Sequence, residues 1–188
     1  MVKNIILAGV GGLGLVLTTK IITESAFLAG YDVKSNDVIG LSQRGGKVWG
    51  SIRFGEKVYS PDIPRRQGDI LLALEPLEGY RWSSILKEKG LIILNSKEIY
   101  PTPVLMEREN YPQNIYEILS HKYTLIKVNA VEEGKKIGNS KIANTILIGI
   151  MAKYLDIPYD IWLKTIENNV PAKSLDLNLI AFDKGYNL

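Results

Sequence analysis

The 188-residue chain contains no cysteine. That excludes disulfides, thiolate zinc sites, iron–sulfur ligation by this chain and a cysteine nucleophile. A single histidine is present, His121. It falls near a helix end beside Lys122, a setting that suits a surface residue better than a general base. No apolar run reaches the roughly 18 residues of a membrane span. No charged-then-apolar leader precedes Ile5-Ile6-Leu7-Ala8, so the expectation is a cytoplasmic protein. Dense Lys/Arg clusters interleaved with aromatics are missing too, which argues against nucleic acid as a partner. No cluster of ligating side chains points to a metal, and no complete set of acid, base and nucleophile points to a catalytic centre.

What is there is ordinary in amount and uneven in placement. Hydrophobic residues make up 46% and charged residues 23%, a composition that suits a soluble globular protein with one sizeable core. Residues 1–188 therefore read as a single domain. Residues 1–68 hold nine Lys/Arg against five Asp/Glu, and residues 69–188 hold fourteen against fifteen. The basic half suits an anionic ligand or partner surface.

Ile5–Ala8 reads as a short buried strand, and Gly14–Leu28 as a helix with Leu15, Thr18, Thr19, Ile22 and Ala26 on one face. Gly30 closes that helix. Asp32–Asn36 and Lys47–Phe54 read as strands, and Phe54–Tyr59 as a hairpin closed by Pro61. Asp69–Leu74 and Leu91–Leu94 are apolar runs typical of central strands. Pro76 starts a helix over Leu77–Lys89. Tyr100–Pro103 reads as a loop, Pro112–His121 as a short helix and Thr124–Val128 as a strand. Ser140–Leu155 reads as a helix capped by its serine, and Pro158–Asn168 as another. The tail from Ala172 is polar and mixed, with partial helix expected. Alternation of strands and helices predicts a three-layer α/β/α fold, Rossmann-like, with a mostly parallel sheet and one antiparallel hairpin.

Gly9, Gly11 and Gly14, with Gly12 between them, satisfy G-x-G-x-x-G after a strand and before a helix. Glycine lets a backbone approach a phosphate, and the helix start offers free N–H groups. A nicotinamide reading also needs an acid at the end of the second strand. Asp32 lies at that strand's beginning and Asp37 past its end, so the dinucleotide reading is incomplete. A plain tight turn, in which glycine serves helix–strand packing alone, is the competing reading. A P-loop is excluded, because Val48 follows Gly46-Lys47 where Ser or Thr must ligate magnesium. Adenylating enzymes share the glycine turn, but Gln43-Arg44 followed by two glycines fits them poorly.

The loop Ser42-Gln43-Arg44-Gly45-Gly46 combines a guanidinium fork, an amide and a flexible pair. Arg44 could hold a phosphate with two hydrogen bonds, or pair with a surface carboxylate. The order of motifs is informative: Gly-Val-Gly-Gly-Leu-Gly, then Ala-Gly-Tyr-Asp-Val-Lys, Ser-Gln-Arg-Gly-Gly, Ile-Arg-Phe-Gly-Glu-Lys-Val-Tyr-Ser-Pro, and Asp-Ile-Leu-Leu-Ala-Leu-Glu-Pro-Leu-Glu. This succession resembles the gamma subunit or domain of 2-oxoacid:ferredoxin oxidoreductases, and most of all the small beta subunit of the indolepyruvate enzymes. The resemblance is strong over residues 4–80. It is weaker through Gly138-Asn139, Asn144 and Gly149, and recurs at Asn178-Leu179-Ile180-Ala181-Phe182.

The resemblance implies a complex that decarboxylates a 2-oxoacid on thiamine diphosphate, passes electrons through iron–sulfur clusters to ferredoxin and releases the acyl group on coenzyme A. Thiamine and clusters are then expected in a larger partner subunit, and this chain agrees: it has no Gly-Asp-Gly thiamine signature, and Asn168-Asn169 stands without one. The expected ligand-facing residues are Gly9, Gly11, Gly12, Gly14 and Ser42, Gln43, Arg44, Gly45, Gly46, at the carboxyl ends of adjacent parallel strands. Glu75 and Glu78 either line the shared site or are charges favoured by a helix start. Alternatives are a stand-alone dehydrogenase or adenylating enzyme, and an interaction module without a ligand. A homodimer of the isolated chain is also compatible with the sequence.

Overall fold

The computed structural model describes residues 1–39, 46–106 and 108–188. Its elements follow in the order β1 Lys3–Val10, α1 Leu15–Leu28, β2 Asp32–Ile39, β3 Lys47–Gly55, β4 Gly68–Ala73, α2 Pro76–Trp82, β5 Leu86–Asn95, α3 Thr102–Leu105, α4 Ile115–Lys122, β6 Thr124–Val128, α5 Ala130–Ile137, α6 Ala143–Ala152, α7 Tyr159–Asn169 and α8 Leu175–Tyr186. One six-stranded sheet runs β2-β3-β1-β4-β5-β6. β1, β4, β5 and β6 are parallel, whereas β3 runs antiparallel to both β1 and β2.

The central strands are apolar on both sides, and each side feeds a separate core. Ile5, Leu7, Leu72 and Ile93 pack with α1, α6, α7 and α8, including Ile22, Ile146, Trp162 and Phe182. Ile6, Ala8, Leu71 and Leu94 pack with Leu77 of α2 and with Ile115 and Leu119 of α4. The expected three layers are therefore present. Helix α1 ends as expected: Gly30 takes a φ of 88°, the Gly30 N–H donates to Phe27 and the Tyr31 N–H to Ala26. This six-to-one closure needs a left-handed residue at Gly30.

Several elements differ from the sequence reading. Phe54–Tyr59 is not a hairpin; the antiparallel partners of β3 are its neighbours β1 and β2. Residues 56–67 form an irregular connection instead, held by side chains that take over its backbone groups. Asp32 accepts from the Val58 N–H at 3.0 Å, and Arg53 donates to the carbonyls of Ser60 and Asp62. Helix α2 stops at Trp82 rather than Lys89, because a short 3₁₀ turn over Ser83–Ile85 leads straight into β5. Leu86 is then drawn into the sheet opposite Gly68. Thr102–Leu105 is a single helical turn where a loop was expected.

Helix α5 has no counterpart in the sequence reading. Its Val-Glu-Glu-Gly-Lys-Lys looks like a solvated charge run, yet Asn129 caps it by accepting from the Glu132 N–H. Lys135 pairs with Glu132 and Lys136 with Glu133, one turn apart. The cap before α6 is Asn139, not Ser140: its Oδ1 accepts from the Lys141 N–H at 2.9 Å, and the serine opens a 3₁₀ turn. The tail is a full helix. Phe182 and Ala181 of α8 are completely buried, because α8 crosses α6 at backbone distance through two glycines. A Cβ at Gly149 would fall onto the Phe182 carbonyl, and one at Gly185 onto the Ile146 carbonyl.

This crossing yields a stability prediction. Gly185→Ala forces two helices apart and is expected to cost about 2–3 kcal/mol, lowering the melting temperature by roughly 5–10 °C. Thermal denaturation followed by circular dichroism checks it, with the exposed Lys153→Ala as the unaffected control. An unchanged midpoint for Gly185→Ala would mean that the helices separate at no cost.

Candidate functional site

Helix α1 leaves β1 toward β2 over one face of the sheet, and α2 leaves β4 toward β5 over the other. The connections therefore diverge between β1 and β4, the position at which open α/β sheets leave a crevice at their carboxyl edge. A cleft of about 720 Å³ opens there. One wall is the glycine turn, with Gly12, Leu13 and Gly14. The floor includes Leu74 and Asn95, and the far wall comes from Asn139–Thr145 of the α5–α6 junction, with Lys173 and Asn178 beyond.

Gly14 occupies the cap position of α1 with a φ of 80°, so no side chain closes the helix, and its first turn holds no acidic residue. The first N–H groups of a 14-residue helix are therefore left without a side-chain cap beside the cleft, carrying roughly half a positive charge. Among the described lining residues the only charged ones are Lys141 and Lys173; the other polar ones are amides and hydroxyls. Asn144 of α6 stitches the turn in place. Its Nδ2 donates to the Leu13 carbonyl at 2.7 Å and to Thr18 Oγ1 at 3.0 Å. Thr145 and Asn178 hold each other at 2.6 Å and tie α6 to α8. Such a cleft is chemically suited to an anion, and its described lining holds no carboxylate and no histidine. No group of three or more metal-ligating side chains occurs among the described residues.

The glycines expected to face a ligand separate into two kinds. Gly12 and Gly14 line the cleft. Gly9 is buried inside β1, where a Cβ would press on Leu74; its role there is close packing. Gly11 uses its N–H to donate to the Gly46 carbonyl at 2.8 Å. That bond brings the end of the second loop beside the glycine turn. Ser42, Gln43, Arg44 and Gly45 lie outside the described residues. Gly46 and the glycine turn lie at one edge of the sheet, but β1 and β2 are not adjacent parallel strands: β3 stands between them, with Lys47 opposite Val10 and Val48 opposite Ile39.

That insertion bears on the dinucleotide reading. The strand beside β1 begins with Lys47 at the ligand edge, not with a ribose-binding acid. Asp37 lies within β2, one strand further out, where it accepts from Thr19 Oγ1 at 2.9 Å; burial pushes its carboxyl up. Asp32 is held by Lys34 and the Val58 N–H, which keep its carboxylate well below the usual range. Neither aspartate lines the cleft.

Glu75 and Glu78 are both buried on the α2 face. Glu75 caps α2 through the Glu78 N–H at 2.9 Å. Its other oxygen accepts from Tyr111 at 2.6 Å and from the Ile99 N–H at 3.3 Å. Burial, then the Glu75 carboxylate, push the Tyr111 phenol far up. Glu78 pairs with Arg81, yet burial still pushes its carboxyl up. Glu75 is thus committed to the fold. His121 is exposed in the last turn of α4, its Nδ1 2.7 Å from the Glu117 carbonyl.

The cleft residues that sequence reasoning did not single out as ligand-facing are Asn139, Lys141, Asn144, Lys173 and Asn178. A signal existed for three of them: Asn139, Asn144 and Asn178 fall in the two later stretches of family resemblance. The lysines carried none, since a lone surface lysine looks the same anywhere.

Comparison with characterised proteins agrees with this geometry. Indolepyruvate oxidoreductase subunit IorB of Archaeoglobus fulgidus is 36% identical over 190 residues, covering 98% of this chain and 94% of that protein. The subunit of the same name from Pyrococcus horikoshii is 33% identical over 188 residues, covering 97% and 93%. The crystal structure of the keto/oxoacid ferredoxin oxidoreductase gamma subunit from Geobacter sulfurreducens shares the fold, with a TM-score of 0.73 at 24% identity over 98% of this chain and 96% of that one. Residues 4–188 match the family described as pyruvate ferredoxin/flavodoxin oxidoreductase, and with whole-length relatives above 30% identity the chain belongs to that family.

Proposed function

We propose that this single-domain chain is the non-redox subunit of a thiamine diphosphate-dependent 2-oxoacid:ferredoxin oxidoreductase, acting in the cytoplasm on an aryl 2-oxoacid such as indolepyruvate. The whole-length kinship to indolepyruvate oxidoreductase subunits supports the assignment. The observation that carries the site is the uncapped amino end of α1 opening on a cleft whose only described charges are two lysines. Thiamine and iron–sulfur chemistry falls to a larger subunit, since a chain without cysteine cannot ligate a cluster through thiolates.

In this reading the cleft receives the phosphates of coenzyme A, whose thiol accepts the acyl group. The α1 N–H groups and the Lys141 and Lys173 ammoniums hold the anion. Gly12 and Gly14 let the phosphate come close, and the Ser42–Gly46 loop, with Arg44 as its fork donor, closes the same edge. Asn144 keeps the turn in position while the ligand exchanges. The stand-alone dehydrogenase reading is disfavoured because β3 separates the glycine turn from both candidate acids.

Three outcomes are expected. The purified chain alone reduces no viologen or ferredoxin with indolepyruvate, thiamine diphosphate and coenzyme A, and activity appears on adding the thiamine-binding subunit; reduction by the isolated chain would sink the assignment. In the reconstituted complex, Lys141→Ala and Arg44→Ala each raise the KM for coenzyme A by about fivefold or more, the loss of a charge-assisted hydrogen bond, while the KM for the 2-oxoacid holds. Unchanged coenzyme A kinetics in both variants would reduce the cleft to architecture. Calorimetry with NAD or NADP at micromolar protein shows no saturable binding; a micromolar Kd for either would restore the dehydrogenase reading.

A further inference from the structure

The side of the sheet covered by α2 and α4 is only partly roofed. β2 and β3 pack α1 against their other face. On this side no described helix lies along them, and the 60–62 segment reaches only the Arg53 end. Toward the carboxyl edge, Val38 stands opposite Trp49 and is 39% exposed. Trp49 meets Trp82 of α2 with ring centres 4.5 Å apart, and both tryptophans are half-buried. From this pair a cleft of about 470 Å³ continues, lined by Lys47, Arg65, Glu78, Arg81, Trp82 and Ser84, with Ile85 at its end.

The charges in that cleft are arranged unusually. Lys47 and Arg65 are exposed and make no ion pair among the described residues. Glu78 is 2% exposed. One of its oxygens takes Arg81, and Oε2 is buried with no partner. A buried acceptor without a donor is costly. The accessible charges of the cleft are those of Lys47, Arg65 and Arg81, so an occupant that pairs with them brings negative charge. A bare anion would leave the tryptophans and Val38 uncovered. An acidic segment of a polypeptide brings carboxylates for the cations and apolar side chains for the adjoining tryptophans in one unit. Trp82 lines the cleft, and Trp49 and Val38 stand next to it. Tryptophan and arginine together are the residues that anchor protein interfaces.

We propose that this surface is the docking site for an acidic segment of the larger, thiamine-binding subunit. A carboxylate of that segment meets Lys47 and Arg65, and an apolar side chain covers Trp49 and Trp82. The assignment rests on the subunit reading above. It places the partner on the sheet face opposite α1, at the same edge as the anion cleft.

The test uses the complex of this chain with the thiamine-binding subunit. Hydrogen exchange should show protection on binding in residues 36–39, 47–51 and 78–85. Lys47→Glu with Arg65→Glu, both exposed and so harmless to folding, should weaken association by about tenfold or more, with a reduced salt dependence. Trp49→Ala should weaken it by about thirtyfold, with circular dichroism confirming that each variant is folded. A wild-type complex with protection elsewhere, or an unchanged Kd in the charge-reversed variant, overturns the surface and leaves the subunit reading standing. Failure of the wild-type chains to associate overturns both. Should the isolated chain bind pyrophosphate or ADP with micromolar affinity, lost in Lys47→Glu with Arg65→Glu, the occupant is a phosphorylated small molecule and the acidic-segment proposal falls.

Discussion

The placement of β3 decides most of what this molecule can do. An antiparallel strand has been set between β1 and β2, and its entry is pinned where the Gly11 N–H donates to the Gly46 carbonyl at 2.8 Å. In a nicotinamide-binding sheet the strand after the first helix lies directly beside β1 and delivers an acid to the ribose. Here that neighbour delivers Lys47, and the acids are displaced one strand outward. A glycine turn of dinucleotide type thus survives without its ribose partner, in surroundings that favour anions. The same insertion leaves β2 and β3 on the α2 side of the sheet without a described helix lying along them, α2 touching β3 through the Trp82–Trp49 pair.

The far wall of the cleft depends on a second constraint, the backbone-distance crossing of α6 and α8. Gly149 and Gly185 allow it, and Thr145 and Asn178 register it through a 2.6 Å hydrogen bond buried between the helices. With α6 so held, Asn144 reaches the Leu13 carbonyl across 131 positions of sequence. The glycine turn is therefore positioned from the carboxyl-terminal third of the chain. An uncapped helix start is left open to ligand, yet its preceding carbonyl is tied down, which lowers the ordering cost of binding.

The strands, the first helix and its closure were legible because each rests on local physics: apolar runs for β1, β4 and β5, one buried stripe for α1, and a left-handed glycine at position 30. The antiparallel insertion was legible only in part. An alternating strand at Lys47–Phe54 was evident, but its partner was not, since Gly55 followed by a Pro-containing segment imitates a hairpin. The decisive interactions, Arg53 with Ser60 and Asp62 and Asp32 with Val58, join residues whose proximity exists only after folding. Helix α5 was hidden by its charges, whose stabilising pairs lie one turn apart and need the helix to exist. Of the site, the glycine turn was legible by motif. The asparagines were marked only by family resemblance, and the lysines by nothing, because a lysine's meaning lies in what surrounds it.

The buried acids show how composition and position can point in different directions. Two glutamates flanking a proline at a strand's carboxyl end read either as the lining of a shared site or as charges favoured by a helix start. Glu75, however, is saturated by three donors, from Glu78, Tyr111 and Ile99, and a carboxylate so surrounded is a structural hinge pin rather than a base. Glu78, three residues on, has one arginine and one unsatisfied oxygen in the same burial. Proteins seldom keep an orphaned buried acceptor where an apolar residue would pack as well. The difference between the two side chains is therefore informative: the first is saturated within this chain, and the second keeps one buried oxygen without a partner. Glu78 borders the exposed Lys47 and Arg65 and the half-buried Trp82, so the buried acid lies under a surface of cations and aromatic rings, the combination from which protein interfaces are built.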